Sequence, residues 1–120
     1  MRTIKFRAKR IYNGEWVYGH YFEASSIHYI VQKEGNTQET YIIDESTLGQ
    51  FTGQHDEKDN DVVEGDILHV DGLGNGEVLY LCGTFKVKLQ HINYSLEEMK
   101  NSFTYHEVIG NVTDNKELLS

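Results

Sequence analysis

The sequence predicts a mainly β fold, α+β at most: a small, partly open β-barrel with an N-terminal β-meander beside it and one or two short helices. Three observations carry this expectation. Apolar and polar residues alternate with period two in Ile4–Lys9 and Thr84–Leu89, as a strand with one wet face requires. The central stretch Thr47–Val70 reads as strand, hydrophilic turn and strand, with Glu64-Gly65-Asp66 as a tight turn in which Gly tolerates positive φ and Asp can accept backbone N–H bonds. The 120 residues include 11 Gly and no Pro, so Gly, Asn and Asp must build the turns. A chain of this length is most simply one domain, residues 1–120, and buries roughly two thirds of its unfolded surface, enough for a core without disulfides.

In chain order, Ile4, Phe6 and Ala8 form the apolar side of a first strand, and Lys5, Arg7 and Lys9 its wet side. Asn13-Gly14 is a type I′ hairpin signal, and Glu15–Phe22 returns from it. On that strand Trp16, Tyr18 and His20 share one side and Val17, Gly19 and Tyr21 the other; Trp16, the largest apolar group, is expected to pack near Phe6 or Ile4. Ile27–Gln32 and Thr40–Ile43 are further strands, and Asp44 can cap a short helical turn. The polar segment Gln54–Asp61 reads as an exposed connection. Strands at 67–70 and 77–82 are joined by the Gly-rich hairpin loop 71–76. Asn93–Ser102 is the helix candidate: Ser95 and Glu98 have capping-box spacing, and Leu96, Met99 and Phe103 fall on one face. Tyr105–Val112 is a last strand, and residues 114–119 a final helical turn that docks Leu118 and Leu119.

The net charge of −8 conceals an asymmetry. Met1–Arg10 holds Arg2, Lys5, Arg7, Lys9 and Arg10 and no acid, whereas the other 110 residues hold 6 basic and 19 acidic groups. The five cations are the candidate interaction residues. Their structural explanation is the solvated side of an edge strand, where Lys and Arg discourage aggregation. No apolar run approaches the ~18 residues of a membrane helix, the N-terminus lacks a signal-peptide pattern, and the lone Cys82 cannot form an internal disulfide. A cytoplasmic location in a bacterial cell is the expectation.

The blocks IKFRAK at 4–9, WVYG at 16–19, TLGQFTGQHDEKDNDVVEGDIL at 47–68 and HEVIGNVTDNKELL at 106–119 resemble, in the same order, those of the YopX family of phage and prophage proteins. Within them Gly49, Gln50, Thr52, Gly53, Glu64, Gly65, Asp66, Gly110 and Asn111 are the family-like framework. Lys9, Asn60-Asp61 and Lys116 depart from the family pattern, which has an aromatic, Asn-Gly and Pro there. The resemblance implies a mainly β fold with a small-barrel element and a phage or prophage origin. It implies no catalytic residue.

The chemistry-bearing residues read as structural. The acidic loop His55, Asp56, Glu57, Asp59, Asp61, Glu64 and Asp66 fails the EF-hand register, since the required Gly falls on Val62 and the required Glu on Leu68. No His pair has the i, i+4 spacing of a helical zinc site, although His20, His28 and His69 lie on strands. Gly72, Gly74 and Gly76 precede a strand rather than the helix a nucleotide loop needs. Cys82, at the end of an apolar strand, reads as a small buried hydrophobe. No catalytic residue, cofactor or metal is expected. Phe6, Tyr12, Tyr18, Tyr21, Phe22 and Tyr29 interleave with basic residues at the N-terminus, a pattern shared with single-strand binders. The favoured reading is a phage-derived interaction or assembly protein, homo-oligomeric or bound to a phage or host protein through its β surface. A small-barrel nucleic-acid binder using the basic strand is the alternative and the less favoured.

Overall fold

The computed structural model describes residues 5–89, 92–101 and 105–119. Ile4 and Arg2 of the first strand, and Phe103 of the expected helix, lie outside them. The mainly β class is observed: the described residues form eleven named strands, in two sheets of antiparallel hairpins, and one short α-helix. The chain divides into two compact units, Met1–Phe51 and Thr52–Ser120.

The first unit contains β1 (Phe6–Lys9), β2 (Trp16–Ala24), β3 (Ile27–Glu34), β4 (Thr37–Ile42) and the start of β5 (Gly49–His55), in the sheet order β4-β3-β2-β1-β5. Ala8 stands opposite Val17, and Ile30 opposite Tyr41. Directly opposed residues share a face, so Ala8, Val17 and Ile30 gather with Ile43 into a buried cluster flanked by Phe6, Tyr21, Tyr41 and Leu48. Gly19 is required where β2 passes β3, because a Cβ there would strike the carbonyl oxygen of Val31. Asp44 caps the 3-10 turn Glu45–Thr47 as expected, its Oδ1 accepting from Ser46 N at 3.0 Å.

Several hairpins differ from expectation. Asn13-Gly14 does not form a two-residue I′ turn: Arg10 N donates to Glu15 O, and of the pair only Gly14 has positive φ. Asn13 Oδ1 instead accepts from Glu15 N at 3.0 Å, the local bond with which Asn stabilises other turns. The tight reversals with two left-handed residues occur at Ser25-Ser26 and Cys82-Gly83. Strand registers on either side, Ala24 with Ile27 and Leu81 with Thr84, leave only two residues to turn the chain, and that closure overrides the poor intrinsic preference of Ser and Cys for positive φ. Cys82 is therefore exposed rather than a buried end of strand.

In the second unit β5 ends beside β6 (Asp61–Val63), where Thr52 Oγ1 donates to Val62 O at 2.7 Å. β7 (Asp66–Val70), β8 (Gly74–Leu81), β9 (Thr84–Leu89), β10 (Ile92–Ser95) and β11 (His106–Asn111) form a sheet in the order β10-β9-β8-β7-β11. Between β6 and β7 the chain turns at Glu64-Gly65. Gly65 has φ +94°, and Asp66 Oδ2 accepts from Val63 N at 2.8 Å, which pins the corner. Val62, Leu68, Val70, Val78, Val87, Leu89, Leu96 and Met99 form the core.

The helix is shorter than expected. α1 spans Leu96–Asn101, and residues 93–95 belong to β10, where Tyr94 faces Val87. The capping signal is nevertheless placed correctly: Ser95 Oγ accepts from Glu98 N at 3.4 Å, and Leu96 and Met99 face the core. Cross-strand pairing takes the residues before the cap because a six-residue helix is marginal alone. The last turn, Lys116–Leu119, is a 3-10 helix with Leu118 half-buried and Leu119 exposed.

Candidate functional site

The β1–β2 register separates the two sides of the first unit's sheet. With Lys9 opposite Trp16 and Arg7 opposite Tyr18, Trp16 lies on the side of the basic residues, away from Phe6 and Ala8. This corrects the expectation that Trp16 packs near Phe6. Only one side of this sheet is closed by the cluster around Ile30, and the opposite parity of Trp16 places it on the other side.

The result is a layer of cations over rings. The Arg7 guanidinium lies 4.9 Å, and Lys9 Nζ 5.4 Å, from the centre of the Trp16 ring. Lys5 Nζ lies 4.8 Å from Phe51 and 5.8 Å from Tyr18, and Tyr18 meets Phe51 edge to face at 6.3 Å. A ring's negative quadrupole holds such cations extended across it. Farther along the same side, Phe22 stacks on its cross-strand partner Tyr29 at 4.8 Å.

Beside this layer is an open cleft of about 540 Å³, lined chiefly by Lys5, Trp16, Tyr18, His20, Gln32 and Lys33. Gln32 Oε1 accepts from Tyr18 N at 3.2 Å, fixing one wall. Of the candidate cations, Lys5, Arg7 and Lys9 come together here. Arg10 does not: it lies 4.4 Å from Tyr41 and 5.9 Å from Tyr12, near the exposed Ile11 and Ile42. Lys33 and Gln32 carry no such signal in the sequence, because only the β2–β3 pairing brings them beside β2, where Gln32 meets Tyr18, 14 positions earlier.

The remaining polar groups hold the framework together. Tyr21 OH meets His28 Nδ1 at 2.6 Å, and His28 Nε2 meets Glu45 at 3.1 Å, joining β2, β3 and the turn before β5. Burial, then the nearby Glu23 and Glu45 carboxylates, raises the Tyr21 pKa. His20 has the opposite strand parity to His28, and His69 belongs to the second unit, where it meets Asn75 and Asp71. Among the described residues no three His, Cys, Asp or Glu side chains form a group that could hold a metal ion.

The acidic loop is not wholly solvated. Asp56 is buried. Its carboxylate accepts from the backbone N–H groups of Lys58 at 3.0 Å, Asn60 at 2.8 Å and Val108 at 2.8 Å, and from Asn60 Nδ2 at 3.2 Å. Burial by itself would raise its pKa, but the bonds from Val108, Asn60 and Lys58 together outweigh burial and lower it. Asp56 straps the loop to β11. Sequence spacing could not reveal this, because Val108 lies 52 positions away.

The family-like residues are likewise structural. Gly49 and Gln50 pair with Arg7 and Phe6, Gly53 has φ +82°, and Thr52, Gly65 and Asp66 form the contacts given above. Asn111 Oδ1 accepts from Thr113 N and Asp114 N, while the bare Cα of Gly110 leaves room for Asn115. Glu64 is half-buried at the corner.

No curated protein matches the sequence. Among solved structures, protein EF1440 from Enterococcus faecalis is similar in fold, with a TM-score of 0.68 over 100% of both chains at 23% identity. The family model described as YopX protein matches residues 5–120. With the strand framework and its corner residues accounted for, that match over essentially the whole described sequence places the chain in the YopX protein family.

Proposed function

We propose that this chain is an interaction protein whose working surface is the cation-bearing side of the first unit's sheet, and that it engages anionic macromolecular surfaces. The observation that carries this is the gathering of Lys5, Arg7 and Lys9 over Trp16, Tyr18 and Phe51, in a chain of net charge −8. Cations stretched over rings are pre-arranged for an anion and lose less freedom on binding than free side chains do. The phage or prophage setting and a bacterial cytoplasm come from the family resemblance and the cysteine usage. No helix among the described residues is long and apolar enough to cross a membrane.

Another copy of the chain is one such anionic surface. The second unit's sequence has thirteen acidic and five basic residues, against six of each in the first, and a basic face on one protomer meeting an acidic one on the next would assemble copies.

Retention on immobilised heparin, with light scattering across a salt series, tests the proposal. Despite its acidic pI of about 5.1, the protein is expected to bind heparin at low salt or to self-associate in a salt-sensitive way, and the triple variant K5A/R7A/K9A to do neither. A salt-insensitive monomer that flows through heparin overturns the reading.

A further inference from the structure

We infer that the cleft beside Trp16 and Tyr18 takes an unpaired nucleobase, so that the anionic partner of this face is a single-stranded nucleic acid. This rests on the preceding reading of the face as the recognition surface and adds the ligand's chemistry.

Charge alone does not account for the site. An acidic protein surface would need cations, but neither the exposed Tyr18 nor a cleft between the rings and β3. A single strand offers both complements: phosphates for the cations and a flat π-face for a ring. The volume of about 540 Å³ falls in the roughly 300–1,000 Å³ range of small-ligand sites. Trp16 and Tyr18 supply stacking surfaces on adjacent outward positions of β2, and Phe22 and Tyr29 continue the row. Lys5 and Lys33 line the cleft, and Arg7 and Lys9 lie at the Trp16 ring, so phosphates can be met on either side of a seated base. The Gln32 oxygen is engaged by Tyr18 N–H, and its amide nitrogen offers donors to acceptors on a base edge.

A duplex fits less well, because its bases are already stacked and present no free face to a ring. Glu34, also at the cleft, disfavours a phosphate at that end and directs the backbone toward Lys5 and Lys33. The acidity of the rest of the chain restricts binding to this face, since phosphate contacts dominate non-specific affinity.

Trp16 is the only tryptophan, so its fluorescence reports directly on the cleft. The full chain is titrated with oligothymidylate, with a duplex of equal length and with heparin, following Trp16 emission and, separately, anisotropy of the labelled polyanion. Oligothymidylate is expected to quench Trp16 and to bind more tightly than the duplex. With three or four phosphate contacts, log K should fall with log salt at a slope between about −2 and −3. W16A should lose about tenfold in affinity by anisotropy, whereas W16F, which keeps a ring, should lose much less; unchanged circular dichroism shows that both variants fold.

Equal binding of all three polyanions without quenching overturns the nucleobase inference and leaves the broader anion reading standing. Salt-sensitive self-association with no nucleic-acid binding also overturns it, in favour of another copy as partner. Failure to bind any polyanion, with no self-association, removes both.

Discussion

Among the described residues, eight aliphatic and methionine side chains of the second unit close into one core, while the buried cluster of the first is four residues, one of them Ala8. The aromatic residues show the reverse. Nine of the fourteen belong to the sequence of the first unit, and Trp16, Tyr18, Phe22, Tyr29 and Phe51 stand exposed or half-exposed. Large rings at partly wet positions contribute less to burial than aliphatic residues in a closed core, yet they are the groups that supply area and stacking in recognition. The closed aliphatic core thus carries most of the burial, and the rings on the wet side of the first sheet are the groups available to the proposed recognition face.

Truncation in the larger core is expected to have the greatest effect on stability. Leu68→Ala, at a fully buried position of β7, should cost about 2–5 kcal/mol in urea unfolding and leave the emission environment of Trp16 in the folded protein unchanged. A cost below about 1 kcal/mol would mean that the second unit's core is not the main store of stability.

Asp56 is next. Asp56→Asn removes a charged acceptor from several N–H groups and should cost about 1–3 kcal/mol at neutral pH. The folded carboxyl has its pKa lowered from the ordinary 3.8. Its stabilisation is therefore fully present above that value and disappears as pH falls through the folded value. Melting curves of wild type and variant should accordingly differ at pH 7 and converge as the pH falls well below 4. A difference that stays constant over this range would assign the strap to neutral packing.

Trp16→Ala sharpens the contrast between the units. A buried Trp costs about 3–5 kcal/mol on truncation. Trp16, half-exposed beneath two cations, should cost only about 1–2 kcal/mol, chiefly partial burial and cation–π attraction. A loss as large as that of Leu68→Ala would place Trp16 among the core residues. The smallest effect should come from Ser95→Ala, about 0.5 kcal/mol, because its capping bond is long and the helix has six residues. Chemical denaturation at neutral pH checks it.

Much of the framework was legible in the chain. Alternation in Phe6–Lys9 and Thr84–Leu89 marks strands because one-sided burial leaves a period of two. Asp44 and Ser95 announce their caps, and Gly65-Asp66 its corner, because each acts on backbone within a few residues. The I′ turn at Ser25-Ser26, the strap from Asp56 to Val108 and the placement of Lys33 beside Trp16 have no local signature. Each depends on which distant strand lies alongside.

The residues by themselves determined that this protein is built of antiparallel strands with glycine-pinned turns and a basic leading strand, since alternation, turn chemistry and charge are properties of neighbouring positions. Which side of the first sheet closes, and hence whether Trp16 is core or surface, was decided only by the tertiary structure. Alternation assigns residues to two sides but cannot say which one another layer will cover. The candidate site exists because the chain covered the side opposite its largest ring.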